Sequence, residues 1–221
     1  MADLKTTFPA MANDPDAALL AMPSHHLSPC PGEVEHVAGD VTSGILLLCD
    51  HASNAMPPDL GSLGLPQAEL ERHIAYDIGA AWMTRALASS LGVPALLTSF
   101  SRLLIDPNRG LDDPTLVMRL SDGAIVPGNA GLSQAGVDER ISRYYAPYDA
   151  AISMAIASAI EARHPPVIIS LHSFTPVWKT TPRPWHVGVL WDKDRRLADH
   201  QIRFGCQHFD QWCSEPPILV P

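Results

Sequence analysis

The chain has 221 residues, 15 Lys and Arg against 24 Asp and Glu, and a formal charge of −9. That length supports one domain with a real core, and 46% hydrophobic against 18% charged residues excludes a largely disordered chain. The acidic balance argues against a general nucleic-acid binder, and no apolar run approaches the roughly 20 residues that cross a bilayer.

Residues 1–40 mix Pro, Asp, Ser and His without periodicity and read as a loose N-terminal extension, which leaves 41–221 as the folded domain. The first residues lack a charged segment followed by a compact apolar core, so they do not read as a secretory signal. The four cysteines, Cys30, Cys49, Cys206 and Cys213, have no CxxC spacing. Both features point to a reduced, cytoplasmic setting.

Gly44-Ile-Leu-Leu-Leu-Cys49 reads as a buried parallel strand that ends in Asp50-His51-Ala52-Ser53-Asn54. From Pro66 to Leu91 the pattern predicts one helix, with Leu70, Ile74, Ile78, Trp82 and Leu91 as its apolar stripe. Gly92-Val93-Pro94 stops it. Ala95–Thr98 predicts a second strand, running on into Ser101–Asp106. Residues 107–132, rich in Gly, Pro, Asp and Asn, predict a long loop of the kind that carries function. A helix follows from Val137, and Pro147 starts its second segment through Ile152, Ile156 and Ile160. Val167–Leu171 predicts a third buried strand with His172 at its carboxyl end, and Trp185–Leu190 a final one. Strands alternating with helices predict an α/β fold with a mostly parallel sheet.

In such sheets ligands bind beyond the carboxyl ends of the strands. Those ends present Asp50, His51 and Asn54; Arg102, Asp106, Asn108 and Arg109; and His172 and Ser173. His51 and His172 are a candidate metal pair. A third ligand should be a carboxylate or histidine, and Asp77 qualifies because it faces inward on its predicted helix. The other reading makes the two histidines hydrogen-bonded core residues and pairs Asp77 with an arginine. Arg102 and Arg109 flank Asp-Pro-Asn and suit a clamp for an acidic substrate, with Asn108 adding a hydrogen bond. Surface pairing of these arginines with Asp106, Asp112 and Asp113 is the simpler alternative. Ser173 is not read as a nucleophile, since no GxSxG turn is present, and phosphate-binding glycine loops are absent.

Five ordered segments, Cys49–Asn54, Arg72–Ala80, Ser101–Arg109, Leu171–Pro176 and Arg183–Gly188, resemble the N-formylglutamate amidohydrolase family. That family is related in fold to zinc carboxypeptidases and aspartoacylase. The resemblance implies a three-layer α/β/α sandwich with a mostly parallel central sheet, like a zinc exopeptidase. It implies a metal-dependent hydrolase that cleaves the amide bond of an N-formyl or other N-acyl acidic amino acid, such as N-formylglutamate. Zinc or another divalent metal would sit on His51, Asp77 and His172. Arg102, Asn108, Arg109 and Ser173 would bind the substrate. Arg102 or a metal contact would stabilise the oxyanion, while Asp50 and Glu215 are candidates for the general base. A small N-acyl amino acid is the only partner implied, with no nucleic acid or membrane.

Two departures from the family pattern stand out. Asn54 occupies the position where the exopeptidases carry a glutamate ligand, which is why Asp77 is preferred. At the end of the chain, Glu215-Pro216 fits the family, but Pro217–Pro221 does not. A disturbed reading frame, or a short variant whose tail diverged, would leave the domain incomplete at its C-terminus. The alternative function is accordingly a degenerate relative that binds an acidic small molecule without turnover.

Overall fold

The computed structural model describes residues 30–178, 180–191 and 193–200. In chain order its elements are β1 (Glu35–Val37), a 3-10 turn (Val41–Ser43), β2 (Ile45–Cys49), α1 (Gln67–Leu70), α2 (Ala80–Leu91) and β3 (Ala95–Leu97). Then come β4 (Leu120–Ser121), β5 (Ala124–Ile125), α3 (Pro127–Ala130), α4 (Gln134–Arg140), a π-helical turn (Ile141–Tyr145) and α5 (Ala146–Glu161). β6 (Val167–Ser170), β7 (Val177–Trp178) and β8 (Thr181–Pro182) follow.

Four strands form the central sheet in the order β1-β3-β2-β6. β2 pairs in parallel with β3 and with β6, while β1 runs antiparallel to β3. The fold is therefore mixed α/β with a mostly parallel sheet. Side chains on a strand alternate between faces, and here each face has its own helix. Leu47, Cys49, Ala95 and Leu97 pack with Ala80 and Ala88 of α2. Leu46, Leu48 and Leu96 pack with Tyr148, Ile152 and Ile156 of α5. The buried positions of α2 are Ala80, Thr84 and Ala88, small residues that let the helix lie close to the strands. A third core, built from loops beyond the sheet, gathers Leu63, Leu70, Ile74, Phe100, Leu103, Leu104, Ile105 and Tyr144.

Three expectations are corrected. The helix predicted over 66–91 is broken. α1 spans one turn, and the chain then bends to Gly79, whose φ of 83° is left-handed and starts α2. The break occurs because the Asp77 amide bonds the His51 carbonyl, at 2.9 Å, instead of a helical neighbour. Ile78, Trp82 and Leu91 are each more than half exposed, so of the supposed stripe only Leu70 and Ile74 are buried. Trp185–Leu190 forms no strand: Val187 and Leu190 are exposed, and the chain closes the short hairpin β7–β8 before it. The sheet also begins inside the segment expected to be a loose extension, because Glu35–Val37 pairs with β3. This edge fits closely: a Cβ at Gly39 would fall 2.1 Å from the Val93 carbonyl carbon. Residues 1–29 and Glu215 lie outside the described residues. No helix among the described residues is long and apolar enough to cross a membrane.

The 107–132 region carries the hairpin β4–β5 and the single turn α3. Asn129 of α3 is fully buried and donates to the carbonyls of Leu103 and Met118 at 2.8 and 2.7 Å. Its Oδ1 accepts from Arg140, which also donates to the Leu104 carbonyl at 2.8 Å. These bonds fix the segment that delivers Arg102 and Asp106 to the sheet edge.

Candidate metal centre

β2 and β6 end side by side, so the parallel register delivers Asp50 and His51 next to Ser170 and His172. Main-chain bonds tie the neighbouring loops to this edge. Asp77 N donates to His51 O, Arg102 N to Ala75 O at 3.2 Å, and Ser101 N to Ala55 O at 2.9 Å. Thr98 Oγ1 donates to the Asp50 carbonyl and accepts from Ala52 N, which sets the turn that presents His51.

His51, Asp77 and His172 come together, each offering one ligand atom within 4.8 Å of the others. Asp77 Oδ2 lies 2.9 Å from His172 Nδ1 and 3.5 Å from His51 Nδ1. Behind each imidazole stands a carboxylate. His51 Nε2 is 2.7 Å from Asp106 Oδ1, and His172 Nε2 is 3.3 Å from Asp50 Oδ2. Ionised carboxylates only accept, so each Nε2 carries a proton and each Nδ1 faces Asp77. This arrangement of carboxylate, imidazole and shared centre is how proteins orient metal-binding histidines.

The electrostatics follow from these contacts. Burial alone would raise the Asp77 carboxyl, but the contacts with His172 and His51 hold it well below the usual carboxylate range. Burial likewise opposes ionisation of Asp106, yet the His51 hydrogen bond and the Arg102 charge hold it at about 2. For Asp50, bonds from His172 and Ser170 outweigh burial and lower it. For His172, burial favours the neutral ring, but Asp50 and Asp77 push it up to about 9. His51 Nδ1, in a side chain only 2% exposed, has no hydrogen-bond partner.

Arg102 reaches inward. It donates to Asp106 Oδ2 at 2.7 Å and approaches Asp77 Oδ1 at 3.4 Å, while its buried Nε is unpartnered. Arg109 stays on the rim, 44% exposed, 3.8 Å from Asp106 and 3.9 Å from Asp113. Asn108 meets the cluster through its backbone N–H, 3.0 Å from Asp106 Oδ1, and Ser173 through its own, 3.3 Å from Asp77 Oδ2. Asn54 turns away and donates to the Leu70 carbonyl at 2.8 Å. Asp50 sits behind His172. A groove of about 680 Å³ between the sheet and α5 contains none of these residues.

Sequence reasoning places Asp106 at the sheet edge and otherwise pairs it with surface arginines, but the side chain is fully buried against His51. A carboxylate ending the apolar run Leu103-Leu104-Ile105 was the available signal. Ser170 and Tyr148 also belong to the cluster through Asp50, and nothing in their spacing marks them.

The family model for N-formylglutamate amidohydrolase matches residues 43–210. Among solved structures, gene product Atu2144 from Agrobacterium tumefaciens is similar, at 33% identity and a TM-score of 0.74, over 80% of this chain and 69% of that one. The N-formylglutamate amidohydrolase from Ralstonia eutropha JMP134 is similar at 26% identity and a TM-score of 0.50, over 65% of this chain and 57% of that one. A search of the curated proteins finds no match. With most of its length matched, the chain belongs to the N-formylglutamate amidohydrolase family.

Proposed function

We propose that the protein is a metal-dependent amidohydrolase acting on an N-formyl or other N-acyl acidic amino acid, with N-formylglutamate as the first substrate to test. One observation carries the metal dependence: the buried, unpartnered Nδ1 of His51 faces the same Asp77 oxygen as His172 Nδ1. A lone pair on His51 Nδ1 and the Asp77 carboxylate oxygen 3.5 Å away repel unless a proton or a cation joins them. Two imidazoles and one carboxylate, each imidazole backed by a carboxylate, fit zinc or a similar divalent ion. A metal bound there supplies Lewis acidity, polarising an acyl carbonyl and acidifying water.

The chain's own groups do the rest. Arg109, exposed and only loosely paired, takes the substrate carboxylate together with Asn108 at the rim. Arg102, held by Asp106 and Asp77, places fixed positive charge beside the centre, where an oxyanion would develop. The N–H of Ser173 lines the same wall. Helices on both faces of the sheet support the three-layer, zinc-exopeptidase-like architecture. The free thiols Cys30 and Cys49 accord with a cytoplasmic setting.

A second reading has a specific observation behind it. Asp50, Asp77 and Asp106 are each already engaged by two or more donors. Among the described residues none of these three is free to serve as general base, which favours a relative that binds without turnover. Formate release from N-formyl-L-glutamate by the zinc-loaded full chain, set against N-formyl-leucine and N-acetyl-glutamate, decides between the two. Release selective for the acidic formyl substrate supports the hydrolase. Zinc bound with no turnover on any of them supports the second reading.

A further inference from the structure

Tyr148 presents a hydroxyl where the packing asks for none. Its ring lies in the apolar cluster with Leu46, Leu48 and Leu96, and the residue is 2% exposed. Phenylalanine would fill that space without burying a polar group, which costs free energy unless the group is bonded. The hydroxyl donates to Asp50 Oδ1 at 2.9 Å and approaches the Leu96 carbonyl only at 3.5 Å. Ser170 Oγ donates to the other oxygen, Asp50 Oδ2, at 2.7 Å. With its proton committed there, Ser170 Oγ has lone pairs left to accept from His172 Nε2, 3.1 Å away. Asp50 is thus gripped at both oxygens by groups from two different elements, α5 and β6. The held carboxylate and the held serine both face one ring nitrogen.

We infer that Tyr148 is a positioning residue: with Ser170 it fixes Asp50 as acceptor for the His172 Nε2–H, and so aims Nδ1 of that ring at Asp77 and His51. The inference rests on the metal-centre reading for its functional consequence. Its structural half, the fixed ring, stands without any metal. Asp106 has a matching support on the other side, held by Arg102 and by the Asn108 backbone N–H. The two sides differ in depth. The His51 side chain is 2% exposed, whereas that of His172 is 32% exposed and has less packing to orient it. A ring with solvent on one side depends more on its hydrogen bonds.

The test uses the full chain with the substitutions Tyr148→Phe and Ser170→Ala. Tyr144→Phe serves as the control, since Tyr144 is equally buried and its hydroxyl has no partner. Zinc affinity is read by competition with a chromophoric chelator. Tyr148→Phe and Ser170→Ala should each weaken binding roughly 10-fold or more, the scale of an outer-shell loss, with Tyr144→Phe unchanged and circular dichroism the same for all. In the metal-free chain, long-range ¹H–¹⁵N spectra should show the His172 Nε2 proton exchanging with solvent several-fold faster in Tyr148→Phe than in the original chain. Unchanged exchange and affinity in Tyr148→Phe would overturn the inference and leave the tyrosine a packing residue. Faster exchange in a chain that binds no zinc would remove the metal reading and keep the positioning role.

Discussion

Replacing Asp106 with Asn keeps the shape of the side chain and removes its charge. Asp106 is fully buried, lies 2.7 Å from His51 Nε2 and 2.7 Å from an Arg102 nitrogen, and accepts the Asn108 amide at 3.0 Å. Its carboxyl is held at about 2 against an ordinary 3.8. A folded-state value below the unfolded one stabilises the fold above pH 3.8, and the benefit is lost as pH falls through 2. At neutral pH that difference is worth about 2 kcal/mol. Leaving Arg102 without its buried partner raises the cost toward the roughly 3–5 kcal/mol of a broken buried pair. Urea unfolding of EDTA-treated protein at pH 7 should therefore show Asp106→Asn less stable by at least about 2 kcal/mol. The charge-dependent part of the gap should shrink by about half at pH 3, because the unfolded carboxyl is then largely protonated. Equal midpoints at pH 7, or a gap undiminished at pH 3, would refute the reasoning.

Three further outcomes are expected. His172 is pushed up to about 9 from 6.5, so its contribution to the metal-free fold is complete below pH 6.5 and fades as pH rises through 9. Urea midpoints should fall over that window in the EDTA-treated chain but not in His172→Asn, and a flat profile in both would contradict the assignment. Burial pushes the Cys49 thiol up to about 12, so iodoacetamide at pH 8 should label exposed Cys30 and spare Cys49 in the native protein, as read by peptide mass spectrometry. Asn129→Ala strands the carbonyls of Leu103 and Met118 and leaves Arg140 Nη1 with only its bond to the Leu104 carbonyl. A loss of roughly 2–4 kcal/mol in a thermal or urea melt is expected, and a loss under 1 kcal/mol would show the site loop has other anchors.

The parts of this fold that sequence makes legible are those where one physical demand dominates. β2 and β3 are continuous apolar runs because both faces of these central strands are covered, whereas β6, expected to be buried too, lies at the sheet edge with Val167 and Ile168 exposed; the parallel topology then places His51 and His172 at one end of the sheet. The expected helix face is not what places Asp77. It is buried because two imidazoles and an arginine surround it at the end of a turn, not because it lines a helix face. The break at Gly79 escaped because the flanking segments both favour helix and only a tertiary bond to His51 separates them. Trp185–Leu190 has strand composition, yet composition does not supply a ladder partner. Arg102 four residues before Asp106 looks like an ordinary surface pair until the loop core around Leu103–Ile105 buries the carboxylate. Tyr148 differs from a packing residue by one oxygen, which no periodicity reports.

The spacing of the cluster along the chain has a consequence for the order of assembly. Asp77 and His172 are 95 residues apart, and Asp50 and Ser170 are 120 apart. Neither contact exists until β6 has docked beside β2, so the centre is a record that the longest-range pairing in the sheet has formed. Closing loops of that length costs entropy that local contacts cannot recover early. A cation that binds only the completed cluster favours the docked state by mass action, about 4 kcal/mol at a thousandfold excess over Kd. In that role the ion would be a clasp on the longest-range strand pairing, and its loss would loosen the β6 edge first.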